Sequence, residues 1–338
     1  MRQSYKHTMY PASGPARDLF VLERRRPRPV LDARLYQDLI LEEEPQADGR
    51  LSSVAVVLLT GRECPWRCAM CDLWQHTLSE DTPEGAIPAQ IAAARAALRR
   101  ESQIDQMKLY NAGSFFDARA VPERDYGAIA SELSGLARVI VESHPALVGP
   151  RVDRFLEELE RSAGSAAPPQ LEVAMGLETA HPDALERLNK RMTVDDFACA
   201  ADALLARGVA IRAFVLIDPP FVEEDDQEEW LLRSIDVARS CGASVVSLVP
   251  TRTGNGAMEA LALEGSFRPP PLATIERRAD AAQLHGRGTS RIFVDLWDLR
   301  QFAECARCFG ARRARLHAMN LEQRIAPPVR CASCDTGS

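Results

Sequence analysis

The sequence predicts an α/β protein, a partial (β/α)6 barrel of the TIM type, on three observations. Apolar, β-branched runs alternate with amphipathic helical patterns from residue 54 to residue 296. Each distinctive polar or glycine cluster follows the carboxyl end of a predicted strand, and three cysteines follow the first strand. In barrels of this kind the active site is built from the loops at that end. The clusters are therefore expected to meet there.

The alternation places six strand-then-helix units in succession, which predicts a parallel sheet with right-handed crossovers. The predicted strands are residues 54–59, 107–110, 139–141, 171–175, 209–217 and 245–249, with a seventh candidate at 292–296. Helical patterns cover residues 87–100, 125–136, 152–159, 193–208 and 228–240. An open, doubly wound sheet also binds ligands at its strand ends. An open sheet, however, gives no reason why six consecutive loops should carry polar or glycine clusters.

Length and charge limit the class of protein. The 338 residues can form one large barrel or two ordinary domains. A net charge of -7 argues against a surface built wholly for nucleic acid, although a local basic patch could still bind RNA. No apolar run approaches the roughly 18 residues of a membrane span, and residues 1–29 lack the apolar segment of a signal peptide. We therefore expect a cytoplasmic protein without membrane contact.

Three regions are predicted: an N-terminal extension at 1–50, a core barrel at 51–298 and a cysteine-rich C-terminal segment at 299–338. The extension is rich in proline and arginine, with arginines at 24, 25, 26 and 28 and an acidic run at 42–44. Its one regular pattern is a weak helical one over residues 31–41. Two interpretations remain open, an extension that wraps the core and an arm that contacts RNA.

Cys64, Cys68 and Cys71 form a Cys-x3-Cys-x2-Cys motif directly after the first strand. A [4Fe-4S] cluster usually takes four cysteine ligands, so three cysteines with no fourth nearby leave one iron open for a ligand that is not protein. Structural zinc normally needs four protein ligands, usually as two paired knuckles. The triplet therefore predicts an iron-sulfur site with one open iron.

This motif, at this place in the chain, resembles the cluster motif of the radical SAM superfamily. The resemblance implies a [4Fe-4S] cluster on Cys64, Cys68 and Cys71, with S-adenosylmethionine (SAM) chelated at the open iron. It implies an enzyme that cleaves SAM reductively to a 5′-deoxyadenosyl radical, which abstracts hydrogen from a substrate. It also implies an external electron donor of the flavodoxin or ferredoxin type. Which protein residue is catalytic stays unknown.

The same resemblance assigns roles in SAM binding to residues of the first three strand ends. Met70 stands where the superfamily usually has an aromatic residue against the adenine, and a thioether can pack there too. Asn111, Gly113 and Ser114 stand where it carries a glycine-rich segment that binds the methionine amine; glycine permits close approach of the backbone. Glu142 ends the third strand, where related enzymes direct a polar side chain toward SAM.

Two further residues carry a role by resemblance with a structural alternative beside it. Glu178 follows the fourth strand near the position that contacts the ribose, and a structural ion pair is the alternative. Arg212, in the fifth strand, meets either the SAM carboxylate or an acidic partner inside the barrel.

A narrower resemblance points to the branch with the elongator catalytic subunit and tRNA methylthiotransferases, and within it to the radical SAM subunit of archaeosine synthase. The segments that carry it are residues 113–117, 141–145, 176–179, 188–190 and 219–221, covering roughly 54–260. The triplet lacks the longer insert of the archaeal proteins, and the N-terminal extension looks unrelated to theirs.

The narrower resemblance implies a lysine-modified 7-deazaguanine in tRNA as substrate. A small molecule or peptide is the alternative, favoured by the acidic net charge. A non-catalytic iron-sulfur or zinc scaffold would explain the cysteines but not the decorated strand ends.

Four cysteines near the C-terminus form a second candidate metal site, Cys305-x2-Cys308 and Cys331-x2-Cys334. Zinc is favoured by the paired-knuckle spacing, an auxiliary iron-sulfur cluster fits the ligand type, and unligated thiols are the third alternative. The position after the seventh strand predicts that this quartet lies on the active-site side.

Two smaller predictions concern residues around these motifs. The arginines between the two cysteine pairs, at 312, 313 and 315, either contact an anionic substrate or form a solvated helix face. Cys199 and Cys241 lie in apolar helical patterns and are predicted to be inert core residues.

Overall fold

The computed structural model describes residues 9–98, 104–111, 113–285 and 290–334. In these ranges eight strands form one curled sheet whose strand order follows the chain. The strands are β1 Asp38–Pro45, β2 Leu51–Leu59, β3 Gln106–Asn111, β4 Arg138–Glu142, β5 Gln170–Glu178, β6 Ala210–Ile217, β7 Val245–Pro250 and β8 Arg291–Val294.

Ten α-helices accompany the sheet in the described part of the chain. They are α1 Gly14–Glu23, α2 Ala86–Leu98, α3 Tyr126–Leu133, α4 Pro150–Ala163, α5 Pro182–Arg187, α6 Val194–Leu205, α7 Gln227–Ser240, α8 Ala257–Leu263, α9 Leu272–His285 and α10 Ala306–Glu322. The main hydrophobic core lies between the strands and the long helices that connect them. Among the helices described, none is long and apolar enough to span a membrane.

The topology confirms the predicted partial barrel. Strands β2 to β8 run parallel to one another, and β1 pairs antiparallel with β2. The two edges of the sheet are β1 and β8, and α10 packs against both of them. The seventh strand candidate is β8, and the predicted strands agree with β2 to β8 within a few residues. Parallel strands that are buried on both faces are continuous apolar runs, and for this reason they could be predicted from the sequence.

The start of α6 shows why the start of a helix could also be predicted from the sequence. Thr193 Oγ1 accepts a hydrogen bond from the Asp196 backbone N–H at 3.1 Å, and an Asp196 carboxylate oxygen accepts one from the Thr193 backbone N–H at 2.8 Å. This reciprocal capping box is the predicted one. The helix ends at Leu205, before the predicted stop at Gly208, whose φ of +70° is a backbone conformation that glycine adopts without strain.

The weak helical pattern over residues 31–41 was wrong, because β1 begins at Asp38. Its acidic residues pair across the sheet, where Lys108 Nζ lies 2.5 Å from Glu42 and 2.6 Å from Glu44. Ion pairs thus replace the apolar alternation by which a strand is normally recognised. Part of the predicted extension is therefore a strand of the barrel sheet.

The rest of the N-terminal segment packs against the loop that follows β2. Tyr10, Phe20 and Val21 form a small second core with Ala69 and Met258. Ala69 belongs to the cysteine motif and Met258 to α8. The structure thus places this segment around the core, as the first of the two interpretations expected.

Candidate functional site

The cysteine loop, residues 60–72, lies at the carboxyl edge of the sheet directly after β2. Cys64, Cys68 and Cys71 in this loop are partly buried free thiols. Burial raises the pKa of each thiol to about 12. A bound cation is therefore needed to hold all three as thiolates, which is the form that ligates a metal. The donor set and its surroundings fit an iron-sulfur cluster.

Side chains far away in the sequence hold the backbone of the cysteine loop. Asn255, in the loop between β7 and α8, donates from its amide to the carbonyls of Ala69 at 2.6 Å and Cys71 at 3.2 Å. Its amide oxygen accepts a hydrogen bond from the Met258 backbone N–H at 2.8 Å. Asn255 thus joins the start of α8 to the loop that carries the thiols.

A second anchor comes from the segment between α5 and α6. The Ala69 backbone N–H donates to the Leu188 carbonyl at 2.8 Å. Asn189 donates from its amide to the Arg67 carbonyl at 2.8 Å and to the Asp18 carboxylate at 2.7 Å. The cysteine loop is therefore fixed between two distant segments, and α1 reinforces the second of them.

Trp66 connects the cysteine loop to the end of β4 by ring stacking. Its ring lies parallel to the His144 ring at a centroid distance of 3.6 Å. His144 Nδ1 accepts a hydrogen bond from the Ala146 backbone N–H at 3.1 Å, so Nε2 carries the proton and donates to the Lys190 carbonyl at 3.0 Å. Burial, helped by the charge of Lys190, lowers the His144 pKa to about 3. The stacked imidazole is therefore neutral at physiological pH.

Glu178 and Lys190 form a buried ion pair beside the thiols, with an O–N distance of 2.5 Å. Burial alone would lower the Lys190 pKa, but the Glu178 carboxylate and the nearby sulfurs of Cys68 and Cys64 raise it above its usual value. A positive charge is thus held next to the cysteine loop. The structure shows the ion pair that was the alternative role for Glu178, and its contact with a ribose stays a prediction.

Gly176 leaves room for this pair, and that room supports a testable prediction. A Cβ at position 176 would collide with Glu178 Oε1 and with Lys190 Nζ. We expect Gly176→Ala to displace the pair and to lower the free energy of unfolding by about 1–3 kcal/mol, the usual cost of overpacking. Gly149→Ala is the matched control, because a Cβ there meets no atom within 4 Å. Chemical denaturation measures both variants, and equal stability would contradict the prediction.

The ends of β3 and β4 are joined at the same edge. The Phe115 backbone N–H donates to the Glu142 carbonyl at 2.7 Å, and Ser114 Oγ accepts a hydrogen bond from the His144 backbone N–H at 3.1 Å. Ser114 is buried and has a φ of +66°. The structure therefore places the ends of β3 and β4, which carry Ser114 and Glu142, side by side.

The remaining predicted SAM contacts lie around this group. Gly113 is buried next to Ser114, and Met70 packs against the small second core around Ala69. Asn111 is the last residue of β3, and its side chain lies outside the described part of the structure. The contacts of these residues with SAM stay predictions.

Backbone strain gathers at this edge of the sheet. Seven described residues other than glycine with positive φ end or follow a strand or lie in the loop after α5: Ser114, Glu178, Asn189, Arg191, Asp218, Phe221 and Asp298. Such conformations are uncommon outside glycine and cost of order 1–3 kcal/mol each, and they cluster at functional sites. Their distribution agrees with a site at the carboxyl edge.

Arg212 lies elsewhere, near the amino end of β6, with its side chain 2% exposed. It binds Glu172 at 2.7 Å and Glu44 at 2.6 Å. This is the interior ion pair that the sequence offered as the alternative to a SAM contact. The network continues with Glu42, Lys108, Arg138 and Arg291. It fills the amino end of the barrel, away from the cysteine loop.

Comparisons with known proteins agree with this fold. No protein-family model matches the chain. Over 250 residues the chain is 27% identical to archaeosine synthase subunit beta of Methanosarcina acetivorans, which covers 70% of the chain and 69% of that protein. The protein of the same name from Thermococcus kodakarensis is 31% identical over 133 residues, 38% of the chain and 39% of that protein.

Among solved structures, Elp3 from Methanocaldococcus infernus with its N-terminus deleted superposes with a TM-score of 0.50 at 13% identity. The match covers 72% of the chain and 56% of the Elp3 chain, so it supports the fold. The fold, the cysteine triplet and the archaeosine synthase relatives agree. The chain is thus similar to archaeosine synthase subunit beta in sequence and to Elp3 in fold. These similarities support the predicted recognition and the predicted class of enzyme.

Sequence reasoning missed several residues of this candidate site. Arg252, after β7, lies 3.2 Å from Asp295 after β8 and 3.8 Å from Asp72, the residue that follows Cys71. Asn255 was missed as well. The polar residues that follow β7 could have indicated both, but which partners they take depends on the distant cysteine loop.

The N-terminal arginines contact the cysteine loop itself. Arg25 lies 2.8 Å from the Glu63 carboxylate, and Arg28 pairs with the same side chain. Arg67 binds Glu63 at 3.1 Å. Glu63 directly precedes Cys64, so these three arginines hold the start of the cysteine motif.

The C-terminal quartet forms a second cysteine site at the start of α10, which follows the carboxyl end of β8. The sulfur atoms of Cys305 and Cys331 lie 4.0 Å apart, and those of Cys308 and Cys334 lie 3.7 Å apart. All four lie within 4.8 Å of one another, and the group could hold a metal ion. The predicted grouping of these cysteines is thus present in the fold.

Two of the arginines between the cysteine pairs are used inside the protein. Arg315 is buried and binds Asp280 of α9 at 2.8 Å, and Arg312 pairs with Glu276 of the same helix. Arg313 is exposed. Neither a substrate contact nor a wholly solvated face describes this helix, because its arginines fasten it to α9.

The two cysteines outside the metal-binding motifs, Cys199 and Cys241, differ in burial. Cys241 is buried as predicted, whereas Cys199 on α6 is exposed and is not a core residue. The hydrophobic neighbours of Cys199 in sequence point to the other side of the helix, where Phe197 and Ala201 are buried.

Proposed function

We propose that this chain binds a [4Fe-4S] cluster through Cys64, Cys68 and Cys71 and cleaves SAM reductively at the carboxyl edge of its barrel. The observation that supports this most is the cysteine loop itself. Its backbone is held at Ala69 by both Leu188 and Asn255, which fixes the loop that carries the three thiols.

When bound, the cluster and SAM supply an electron and a 5′-deoxyadenosyl radical for hydrogen abstraction from the substrate. The protein's own residues bind and orient. Lys190 offsets the negative charge of the thiolates, since its ammonium group is held near Cys68 by Glu178. Ser114 and Glu142, joined at the neighbouring strand ends, are proposed to bind the polar groups of SAM, and a flavodoxin or ferredoxin is proposed as electron donor.

The direct test is anaerobic reconstitution followed by dithionite and SAM. We expect 5′-deoxyadenosine to be released in an amount that depends on the cluster content. Wild-type protein that holds a full cluster and releases none would overturn the proposal. Binding of SAM measured by calorimetry on the same sample separates a catalytic protein from an iron-sulfur scaffold.

For the substrate we propose a base of tRNA, related to the 7-deazaguanine that the narrower resemblance implies. The similarity to archaeosine synthase subunit beta over 70% of the chain supports this class of substrate. The name of that relative also supports a second subunit as partner. Because Arg25 and Arg28 are engaged with Glu63, an RNA surface would have to be supplied by other basic residues or by such a subunit.

A small molecule or peptide is the second candidate, and those same engaged arginines together with the net charge of -7 favour it. A tRNA gel-shift assay on the cluster-loaded protein distinguishes the two candidates. Binding that weakens steeply with salt supports RNA, and tRNA should then also raise the yield of 5′-deoxyadenosine. Absence of binding, with and without a candidate second subunit, supports the small substrate.

A further inference from the structure

The spacing of the four C-terminal sulfur atoms identifies the kind of metal site they form. A zinc ion with bonds of about 2.3 Å to four thiolates holds the sulfurs about 3.8 Å apart at the corners of a tetrahedron. The two closest pairs here lie 3.7 and 4.0 Å apart, and all four sulfurs lie within 4.8 Å. In a [4Fe-4S] cluster each cysteine binds a different iron, so the cluster itself would spread the sulfurs further.

We propose that Cys305, Cys308, Cys331 and Cys334 bind a single structural zinc ion and not an auxiliary iron-sulfur cluster. The proposal is independent of the radical chemistry proposed for the other cysteines. Within the described ranges, no second group of three or more His, Cys, Asp or Glu side chains brings its ligand atoms this close together.

The surroundings of the quartet suit an anionic site. Zinc with four thiolates carries a net charge of about -2, because each thiolate contributes one negative charge. Cys305 is the N-cap of α10, a helix of 17 residues, so the positive end of its dipole faces the sulfurs. Arg312 donates from Nε to Cys308 Sγ at 3.3 Å. Both contacts place positive charge against the thiolates.

The helix that starts at this site closes the barrel. The side-chain amide of Asn320 pairs with both the N–H and the C=O of Val294, each at 2.8 Å. Gln323 pairs in the same way with Ile292, at 2.8 and 2.9 Å. The two amides thus take the place of a ninth strand along the edge of β8, and α10 also packs against β1.

The zinc ion would tie the first turn of α10 to the end of the described chain. Arg315 already binds the carbonyls of Ala326 and Pro327, at 2.8 and 2.9 Å, and so holds the segment that leads back to the site. The ion would close the 22-residue connection between Cys308 and Cys331. Closing such a connection stabilises the folded state by limiting the freedom of the unfolded chain. We infer that the zinc clamp keeps α10 on the edges of the sheet.

The test is elemental analysis of the full chain purified without oxygen, comparing matched cysteine variants. Wild-type protein should hold about one zinc and about four irons. Replacing Cys305 and Cys334 by serine should remove the zinc and leave the iron, and replacing Cys64, Cys68 and Cys71 by alanine should do the reverse. Zinc that stays in the variant without Cys305 and Cys334 would overturn the proposal. So would wild-type protein that holds about eight irons, or that holds iron or no metal at this site in place of zinc.

A second measurement remains decisive if that variant does not fold. A mercurial reagent titrated into the wild-type protein should release zinc in step with modification of about four thiols. Release without modification of the thiols would overturn the assignment.

The clamp role has its own readout, hydrogen exchange along β8. On loss of zinc the N–H groups of Ile292 and Val294, which donate to the side chains of Gln323 and Asn320, should exchange faster, by at least about tenfold. Central strand β5 is the control and should not change. Unchanged exchange along β8 after loss of zinc would overturn the clamp.

Discussion

Replacing Cys68 with alanine is expected to abolish both the brown absorbance of the reconstituted cluster and the formation of 5′-deoxyadenosine. Cys68 is the central cysteine of the triplet, and it is near enough to Lys190 for the ammonium charge to favour its thiolate. Two thiols cannot hold a cluster that already uses an open iron for SAM. The measurements are iron and sulfide content, the absorbance spectrum and the yield of nucleoside after addition of dithionite.

The matched control for this prediction is Cys199→Ala. Cys199 is exposed on α6, outside both cysteine sites, and its removal should change neither the iron content nor the yield. A Cys68→Ala protein that still holds four irons and releases 5′-deoxyadenosine at the wild-type rate would show that the triplet is not the cluster site. The zinc content should be the same in all three proteins.

Replacing Arg212 with alanine is expected to lower the free energy of unfolding by about 3–5 kcal/mol, because it leaves buried carboxylates without their partner. Arg212 binds both Glu44 and Glu172, and each of these side chains is at most 4% exposed. Arg124→Ala is the control. Arg124 pairs with Glu84 at 3.0 Å on the surface, where one pair contributes about 1 kcal/mol or less. Denaturant titration of both variants measures the difference.

The ion pair between Arg212 and Glu44 also predicts how the difference in unfolding free energy between wild type and Arg212→Ala depends on pH. Burial alone would raise the Glu44 pKa, but Arg212 and Lys108 hold it well below the usual 4.5. The folded state therefore releases this proton more readily than the unfolded state, and the resulting stability is complete above about pH 4.5 and falls as the pH drops below it. The difference in unfolding free energy between wild type and Arg212→Ala should become smaller in that acidic range. A difference in unfolding free energy that stays constant down to pH 3 would contradict the assigned role of Glu44.

The parallel strands and the metal motifs could be predicted from local sequence. Strands β2 to β8 are apolar runs buried on both faces, and the helix limits are marked by features such as the Thr193 capping box. Both cysteine groups were recognised because metal ligation demands particular residues at particular spacings. The resemblance to the radical SAM superfamily depends on these same local features.

Contacts between distant residues could not be predicted in this way. Glu44 and Arg212 are 168 positions apart, and Asn255 reaches Ala69 across 186 positions. Strand β1 was missed because its carboxylates bind Lys108 and Arg212, which lie in other strands. No window of neighbouring residues contains both partners of such a contact.

The sequence by itself thus determined the class of fold, the family resemblance and the residues that can ligate metal, because each of these depends on short local patterns. The tertiary structure decided which of two roles Arg212 takes, where the N-terminal arginines bind and how α10 closes the sheet. It also decided that the four C-terminal sulfurs stand at the spacing of a single ion. Distances between side chains follow from packing, and packing joins segments that the chain keeps far apart.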